Sequence, residues 1–219
     1  MPDTPDATAV TIASDVADLH QKTLAHVAKP LAQTPHHIQS YFAQITADDS
    51  LRLLAEVKAR IVKDRLKGTP DADLPILSAV SPYRSGGRAG PNHFVDIAAG
   101  GITLRDVGAL YPFANRLGAH VCTGAMVLEQ LEHGAQQFCQ ITAGQQNQTL
   151  IDESFAPYNA VTIFGVTYRI DLSRPAGQGR IHDLRHQGRP VAANDRFVLA
   201  ENTFRLNGGG GYAAVPAQE

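Results

Sequence analysis

The stretch ENTFRLNGGGGYAA, residues 201–214, sets four consecutive glycines, Gly208 to Gly211, behind one aromatic ring, Phe204, and one arginine, Arg205. Four glycines lose much backbone freedom on folding, so a run of them needs a reason. No Lys-Ser/Thr pair follows the run and no helical pattern opens after it. A phosphate-binding P-loop and a dinucleotide fingerprint are therefore both excluded. Two readings remain: a turn whose backbone closely approaches something, or a loose chain end.

Working outward, RFVLAEN just before the run reads as a strand, as do VTIFGVTYRIDL and RIHDLRHQGRPV, with Gly and Pro turns between them. LPILSAV and HFVDIAA are two more short apolar runs, and RLGAHVC alternates. The helical patterns lie between. Val16, Leu19, Thr23, Leu24 and Val27 share a face over residues 15–29, up to Pro30. A second helix follows Asp49 or Ser50, with Leu51, Leu54, Ala55, Ile61, Val62 and Leu66 inward, the Lys58 stem along that face with its charge in water, and Gly68 at the end. Thr103 with Asp106 opens a short helix before Pro112. Residues 124–138 return to helix, with Met126, Val127, Leu128 and Leu131 inward. Strands and helices mix without a regular βαβ repeat, so the fold class is α+β, mixed sheets flanked by helices. Residues 1–14 read as a solvated lead-in, 15–48 as a linker helix with an extended connector, and 49–215 as the main domain.

Composition narrows the function. The chain has 219 residues and a net charge of −2, which leaves no electrostatic footprint for duplex nucleic acid. No apolar stretch reaches membrane-spanning length, and the first residues have neither the basic nor the apolar region of a signal peptide. Cys122 and Cys139, the two cysteines, read as free buried thiols, with a disulfide between them as the alternative. None of the nine histidines falls in a His-Glu-x-x-His pattern, and no Cys-x-x-Cys accompanies them, so the chain holds no self-contained metal site. His182 and His186 point to one face of a strand but stand too far apart to clamp one ion. Nucleophile signatures such as Gly-x-Ser-x-Gly are absent.

Two loops stand out. SPYRSGGRAGP, residues 81–91, carries Arg84 and Arg88 on a small-residue loop after a strand; that arrangement suits a phosphate, a carboxylate or sugar hydroxyls, or is a solvated turn. LYPFANRL, residues 110–117, places Phe113 between a helix and a strand, as a core plug or as a stacking face.

Taken in order, HQKTLAHVAKPL, DDSLRLLAEVKARIV, ADLPILSAVSPYRSGGR, GGITLRDVGALYPFANRL, YNAVTIFGVTYRIDL, GRIHDLRHQGRPV and FVLAENTFRLNGGGGY resemble the C-terminal domain of the 5′-nucleotidase family. Within it they look like the bacterial 2′,3′-cyclic-nucleotide 2′-phosphodiesterase/3′-nucleotidase branch. The resemblance covers residues 18–213. It implies a nucleoside-binding specificity domain whose partner is an N-terminal metallophosphoesterase domain. That second domain would hold two divalent metals and carry out hydrolysis, so this chain alone needs no cofactor and hydrolyses nothing. It also implies a periplasmic or cell-surface setting, with 3′-AMP and 2′,3′-cyclic nucleotides as ligands. A stand-alone, non-catalytic nucleoside-binding or interaction protein is the alternative, and a purely structural domain with both Phe rings buried is a third reading.

By resemblance, the base stacks between Phe113 and Phe204, with Gly208 and Gly209 clearing space behind the second ring. Two stacked faces require rings about 7 Å apart, twice the ~3.5 Å contact distance. Asn115 is implied to meet a base edge, Arg88 the ribose and phosphate, and Gly165 to pass near the nucleoside; Arg84 joins the substrate-binding candidates from its place on the same Gly-rich loop. The chain departs from many 5′-nucleotidases where Gly210 stands in place of an Asp that binds ribose hydroxyls, and from the usual cyclic-phosphodiesterase branch where Phe stands in place of Tyr at both stacking positions.

Overall fold

The computed structural model describes residues 7–215. In chain order these form α1 (Ala7–Val27), β1 (Pro30–Thr34), β2 (Ile38–Gln39), α2 (Asp49–Leu66), β3 (Ile76–Val80), β4 (Asp96–Ile97) and β5 (Gly100–Thr103). Then come α3 (Leu104–Leu110), β6 (Leu117–Thr123), α4 (Gly124–Gly134), β7 (Thr162–Phe164), β8 (Val166–Ile170), β9 (Ile181–His186), β10 (Arg189–Pro190), β11 (Arg196–Asn202) and α5 (Thr203–Leu206). The α+β expectation holds.

The central strand is β11, which is buried from Phe197 to Asn202. A strand covered on both faces needs an unbroken apolar run, and FVLA supplies it. It pairs parallel to β3 (Leu199 opposite Leu77) and antiparallel to β6 (Asn202 opposite Leu117). With β7 antiparallel to β3, the sheet order is β6-β11-β3-β7. One face packs on α2 through Val62, Val198 and Ala200. The other meets α4 through Val127 and Leu131, together with the three-stranded β10-β9-β8 sheet through Ile181 and Leu184. Burying side chains of this size stabilises by about 1.5–3 kcal/mol each, so this double-sided core anchors the ends of β11, β3 and β6.

The structure corrects several local expectations. Helix α1 begins at Ala7, inside the predicted lead-in, while residues 1–6 lie outside the described part. Its predicted apolar face is largely in solvent: Val16 is 49% and Leu19 67% exposed. The 3.6-residue period is present, but among the described residues no core lies opposite it. Asp48 caps α2, its carboxylate accepting the Leu51 N–H. Leu51, Ala55 and Val62 are buried as expected, whereas Ile61 is exposed. Lys58 does not reach water: its ammonium turns inward and donates to the Ala79 carbonyl. Burial lowers its pKa to about 8, although Glu201 opposes that shift.

The Thr103–Asp106 capping box is present. Helix α4 stops at Gly134, four residues early, and a 3-10 turn (Ala135–Gln137) follows. A Cβ at Gly134 would stand 2.9 Å from the Val161 backbone nitrogen, so the helix crosses that segment at its closest approach. Met126 and Leu128 are exposed, not inward. The long strand patterns break into pairs; β7 and β8 part at Gly165, which has φ +99°. Both cysteines are free, Cys122 buried and Cys139 half-buried.

Candidate nucleoside cleft

Two loops meet at one end of the central sheet. The antiparallel β6–β11 ladder ends with Leu117 opposite Asn202, so the chain before β6 and the chain after β11 emerge side by side. The first carries Phe113 and the second Phe204. Reciprocal hydrogen bonds stitch them together: Thr203 N–H donates to the Arg116 carbonyl (2.9 Å), and Arg116 N–H donates to Thr203 Oγ1 (3.2 Å). β3 runs parallel to β11, which brings the 81–91 loop to the same end. There Asn202 Nδ2 donates to Tyr83 Oη at 3.0 Å.

These segments enclose a cleft of about 280 Å³ lined by Tyr83, Phe113, Asn115, Tyr158 and Phe204, among others. That is near the lower end of the range for small-molecule sites, about 300 Å³. Phe113 and Phe204 are 42% and 41% exposed, so neither is a core plug. Phe113 leans edge-on against Tyr83 (5.5 Å between centroids) and Tyr158 (6.3 Å). Phe204 contacts no other ring among the described residues, which leaves its face open.

The glycine run packs behind Phe204. A Cβ on Gly209 would stand 2.6 Å from two ring carbons of Phe204 and 2.5 Å from its carbonyl oxygen. Gly208, Gly210 and Gly211 have φ between +77° and +83°, the left-handed region that glycine tolerates best. The loose-end reading is thereby overturned. The His133 Nε2–H donates to the Gly210 carbonyl at 2.8 Å, and the Tyr212 hydroxyl to the Asn159 carbonyl at 2.7 Å, so both flanks of the turn are tied down.

Beneath Phe204 lies a charged network that the sequence reading did not single out. Arg205 is buried and donates to Ser81 Oγ (2.6 Å) and to the carbonyls of Ala160 (3.3 Å) and Tyr158 (3.5 Å). Its guanidinium lies 3.9 Å from the centre of the Tyr212 ring. Glu201, near the end of β11, faces it at 3.8 Å. Burial raises the Glu201 pKa, with Arg205 and Lys58 pulling it the other way. No local sequence pattern announces this pair, because Glu201 ends up on β11 and Arg205 on α5. Tyr83, Tyr158 and Asn202 were also missed; Tyr83 lies in the marked 81–91 loop and Asn202 ends the predicted strand RFVLAEN.

Of the residues singled out from sequence, Phe113, Phe204 and Asn115 come together at the cleft, with Gly208 and Gly209 in the adjoining turn. Arg84 and Gly165 do not line it. Arg84 lies in the Tyr83 loop with its Nε buried and unpartnered, near enough to His93 to help lower that imidazole's pKa, which burial lowers most. Gly165 packs on β3, where a Cβ would meet Leu77 Cδ2 at 2.7 Å, and its carbonyl accepts from His186 Nδ1. The Arg88 side chain lies outside the described residues. No cluster of three His, Cys, Asp or Glu suited to a metal occurs among the described residues. No helix among them is long and apolar enough to cross a membrane.

Comparisons with known proteins agree with this architecture. The family model described as 5′-nucleotidase, C-terminal domain, matches residues 52–217. The trifunctional nucleotide phosphoesterase protein YfkN of Bacillus subtilis is 35% identical over 214 residues, which cover 92% of this chain and 15% of that protein. The 2′,3′-cyclic-nucleotide 2′-phosphodiesterase/3′-nucleotidase of Salmonella typhimurium is 35% identical over 205 residues, or 87% of this chain and 32% of that protein. The chain therefore spans a third or less of the length of these relatives. Among solved structures, a 5′-nucleotidase from Staphylococcus aureus in complex with α-ketoglutarate superposes with a TM-score of 0.69 at 19% identity, covering 97% of this chain and 37% of the other. The 5′-nucleotidase precursor of Thermus thermophilus gives 0.63 at 21% identity, covering 92% and 35%.

Proposed function

Because the chain belongs to the 5′-nucleotidase C-terminal domain family, we propose that its cleft binds the nucleoside part of a nucleotide for a metal-dependent phosphoesterase of the cyclic phosphodiesterase/3′-nucleotidase type. The observation that carries the reading is the pair of half-exposed phenylalanines on two stitched loops, facing one cleft. A planar base slides between Phe113 and Phe204, and its edge meets Asn115. Such stacking contributes about 1–3 kcal/mol per base and tolerates different bases. The phenols of Tyr83 and Tyr158 border the same space and offer polar contacts where the two stacking rings have none. Arg88 belongs to the ribose and phosphate side of this proposal, whereas Arg84, which does not line the cleft, does not.

Hydrolysis belongs, on this reading, to a metallophosphoesterase domain beyond this chain, where two divalent metals supply the activated hydroxide. A periplasmic or cell-surface setting is part of the same proposal. The chain by itself binds ligand without turning it over.

Isothermal titration of the chain with 3′-AMP, without metal, tests the binding. A dissociation constant on the order of 0.1–5 mM is expected, lost in Phe204→Ala. Absence of saturable heat, or equal binding by the variant, would sink the reading. Release of phosphate from 3′-AMP by the purified chain with Mn²⁺ would contradict the assignment of chemistry to another domain.

A further inference from the structure

Asn202 closes β11 opposite Leu117 and is only 6% exposed where it borders the cleft. Both polar atoms of its carboxamide are engaged. Oδ1 accepts the Arg205 N–H at 3.0 Å and so caps α5. A backbone N–H can only donate, so the atom that faces it is the oxygen and the other atom is the nitrogen. That nitrogen donates to Tyr83 Oη, also at 3.0 Å. Burial raises the Tyr83 pKa, so the phenol that accepts this bond is neutral. Among Ser, Thr, Asp and Asn, the side chains that cap helices best, Asn alone offers an amide N–H beside its capping oxygen.

The two bonds lead to the two stacking rings. Phe204 is the second residue of α5, the turn that Asn202 caps. Tyr83 leans edge-on against Phe113, with the rings inclined at 67°, and against Tyr111 at 4.9 Å and 85°. Tyr111 itself meets Phe113 at 6.5 Å. Edge-on contacts of this kind fix one ring against another. Phe113, half exposed, is therefore seated on a tyrosine whose hydroxyl end Asn202 holds in place.

We infer that Asn202 is a positioning residue that sets the gap between the two stacking rings. Its oxygen holds the Phe204 turn, and its nitrogen holds the Tyr83 seat of Phe113. The inference rests on the nucleoside reading of the cleft, and it assigns Asn202 no contact with the ligand. Stacking on both faces needs a gap of about 7 Å, and contact energy falls off steeply as a ring withdraws. A tilt of Tyr83 thus weakens binding even where the fold is kept.

The test titrates wild type, Asn202→Ser, Tyr83→Phe, the double variant and Thr103→Ala with 3′-AMP. Asn202→Ser keeps a capping oxygen but cannot reach Tyr83. Tyr83→Phe removes the same bond and leaves the cap and the edge-on ring in place. Each single variant is expected to raise the dissociation constant about three- to tenfold. The double variant should lie within about twofold of the weaker-binding single one, because both remove one bond. Thr103→Ala, destabilised at α3, should bind like wild type, which separates loss of positioning from loss of stability. In aromatic ¹³C spectra without ligand, Asn202→Ser should shift the ring signals of Phe113, which lies beyond Tyr83. If wild type binds and either single variant stays within about twofold of it, the inference falls while the nucleoside reading stands. Losses that multiply in the double variant, or Phe113 signals that stay in place, would also overturn it, since the two residues would then act separately. If wild type shows no saturable binding, the nucleoside reading fails and this inference fails with it.

Discussion

Replacing Gly209 by alanine isolates the purpose of the glycine run. Gly209 alone among the four is not in the left-handed region, so its backbone accepts a Cβ. The added carbon has nowhere to sit, because Phe204 Cδ2 and Cε2 lie 2.6 Å away and the Phe204 carbonyl oxygen 2.5 Å. Ordinary carbon contacts begin near 3.5 Å, so the ring or the turn must give by about 1 Å. Overpacking of this kind costs roughly 1–3 kcal/mol of stability. If Phe204 yields, a base loses about a quarter to a half of its contact with that ring. Taken from a stacking contribution of about 1–3 kcal/mol, the loss is about 0.3–1.5 kcal/mol, or roughly 1.5- to 12-fold in affinity.

The control is Gly68→Ala, at the end of α2. Its φ is +81° and nothing lies within 4 Å of the new Cβ, so it should cost about 1–2 kcal/mol of stability and no affinity. Thermal unfolding and titration with 3′-AMP on both variants decide the matter. If Gly209→Ala loses stability yet binds like wild type, the run serves folding only and does not set the ring.

Three further outcomes are expected. Arg205→Gln leaves Glu201, 1% exposed, without its nearest cation, and should lower stability by about 3–5 kcal/mol in urea unfolding. A loss below about 1 kcal/mol would mean that the pair is dispensable. Thr103→Ala removes one half of the α3 capping box and should cost about 0.5–2 kcal/mol with nucleotide affinity unchanged, by urea unfolding and titration. Lys58 has a folded pKa of about 8 against an ordinary 10.5. Below pH 8 both states carry the charge, and the folded state bears its burial. Between about 8 and 10.5 the unfolded chain holds a proton that the folded chain has lost, so this group's contribution to stability rises with pH. Urea midpoints of wild type and Lys58→Met, followed from about pH 7 to about pH 10, should therefore move in favour of wild type; the opposite slope would refute the burial of Lys58.

What was legible in the sequence followed from local chemistry. The Thr103–Asp106 box, the Pro112 stop and the apolar run of β11 each act within a few residues, and each appears as read. The two stacking phenylalanines were reached through resemblance, since a ring in a loop looks the same in sequence whether it plugs a core or faces a ligand. Where reading failed, the deciding partner was distant. Val16 and Leu19 have helical spacing, but no element among the described residues covers them. Lys58 was assigned to water because Ala79 and Glu201, which draw it inward, come from β3 and β11. Gly165 was drawn toward the ligand although its contact is with Leu77, 88 positions earlier in the chain.

The arrangement of rings and charges also separates two kinds of damage. Phe113 and Phe204 are half exposed and contribute little of their own to holding the cleft open. Their separation is set underneath, by the Arg116–Thr203 stitch and by the bonds from Arg205 to Ser81, Ala160 and Tyr158. Those three acceptors belong to the two other loops that border the cleft, while Arg205 follows Phe204 directly on α5. One buried guanidinium thus ties the Phe204 turn to the Tyr83 loop and the Tyr158 turn at once, at the cost of burying Glu201 as its counter-charge. A cleft built this way loses affinity first when a ring is removed and stability first when the guanidinium is. The opposite order would mean that the rings hold the loops together and that the charged pair is incidental to the site.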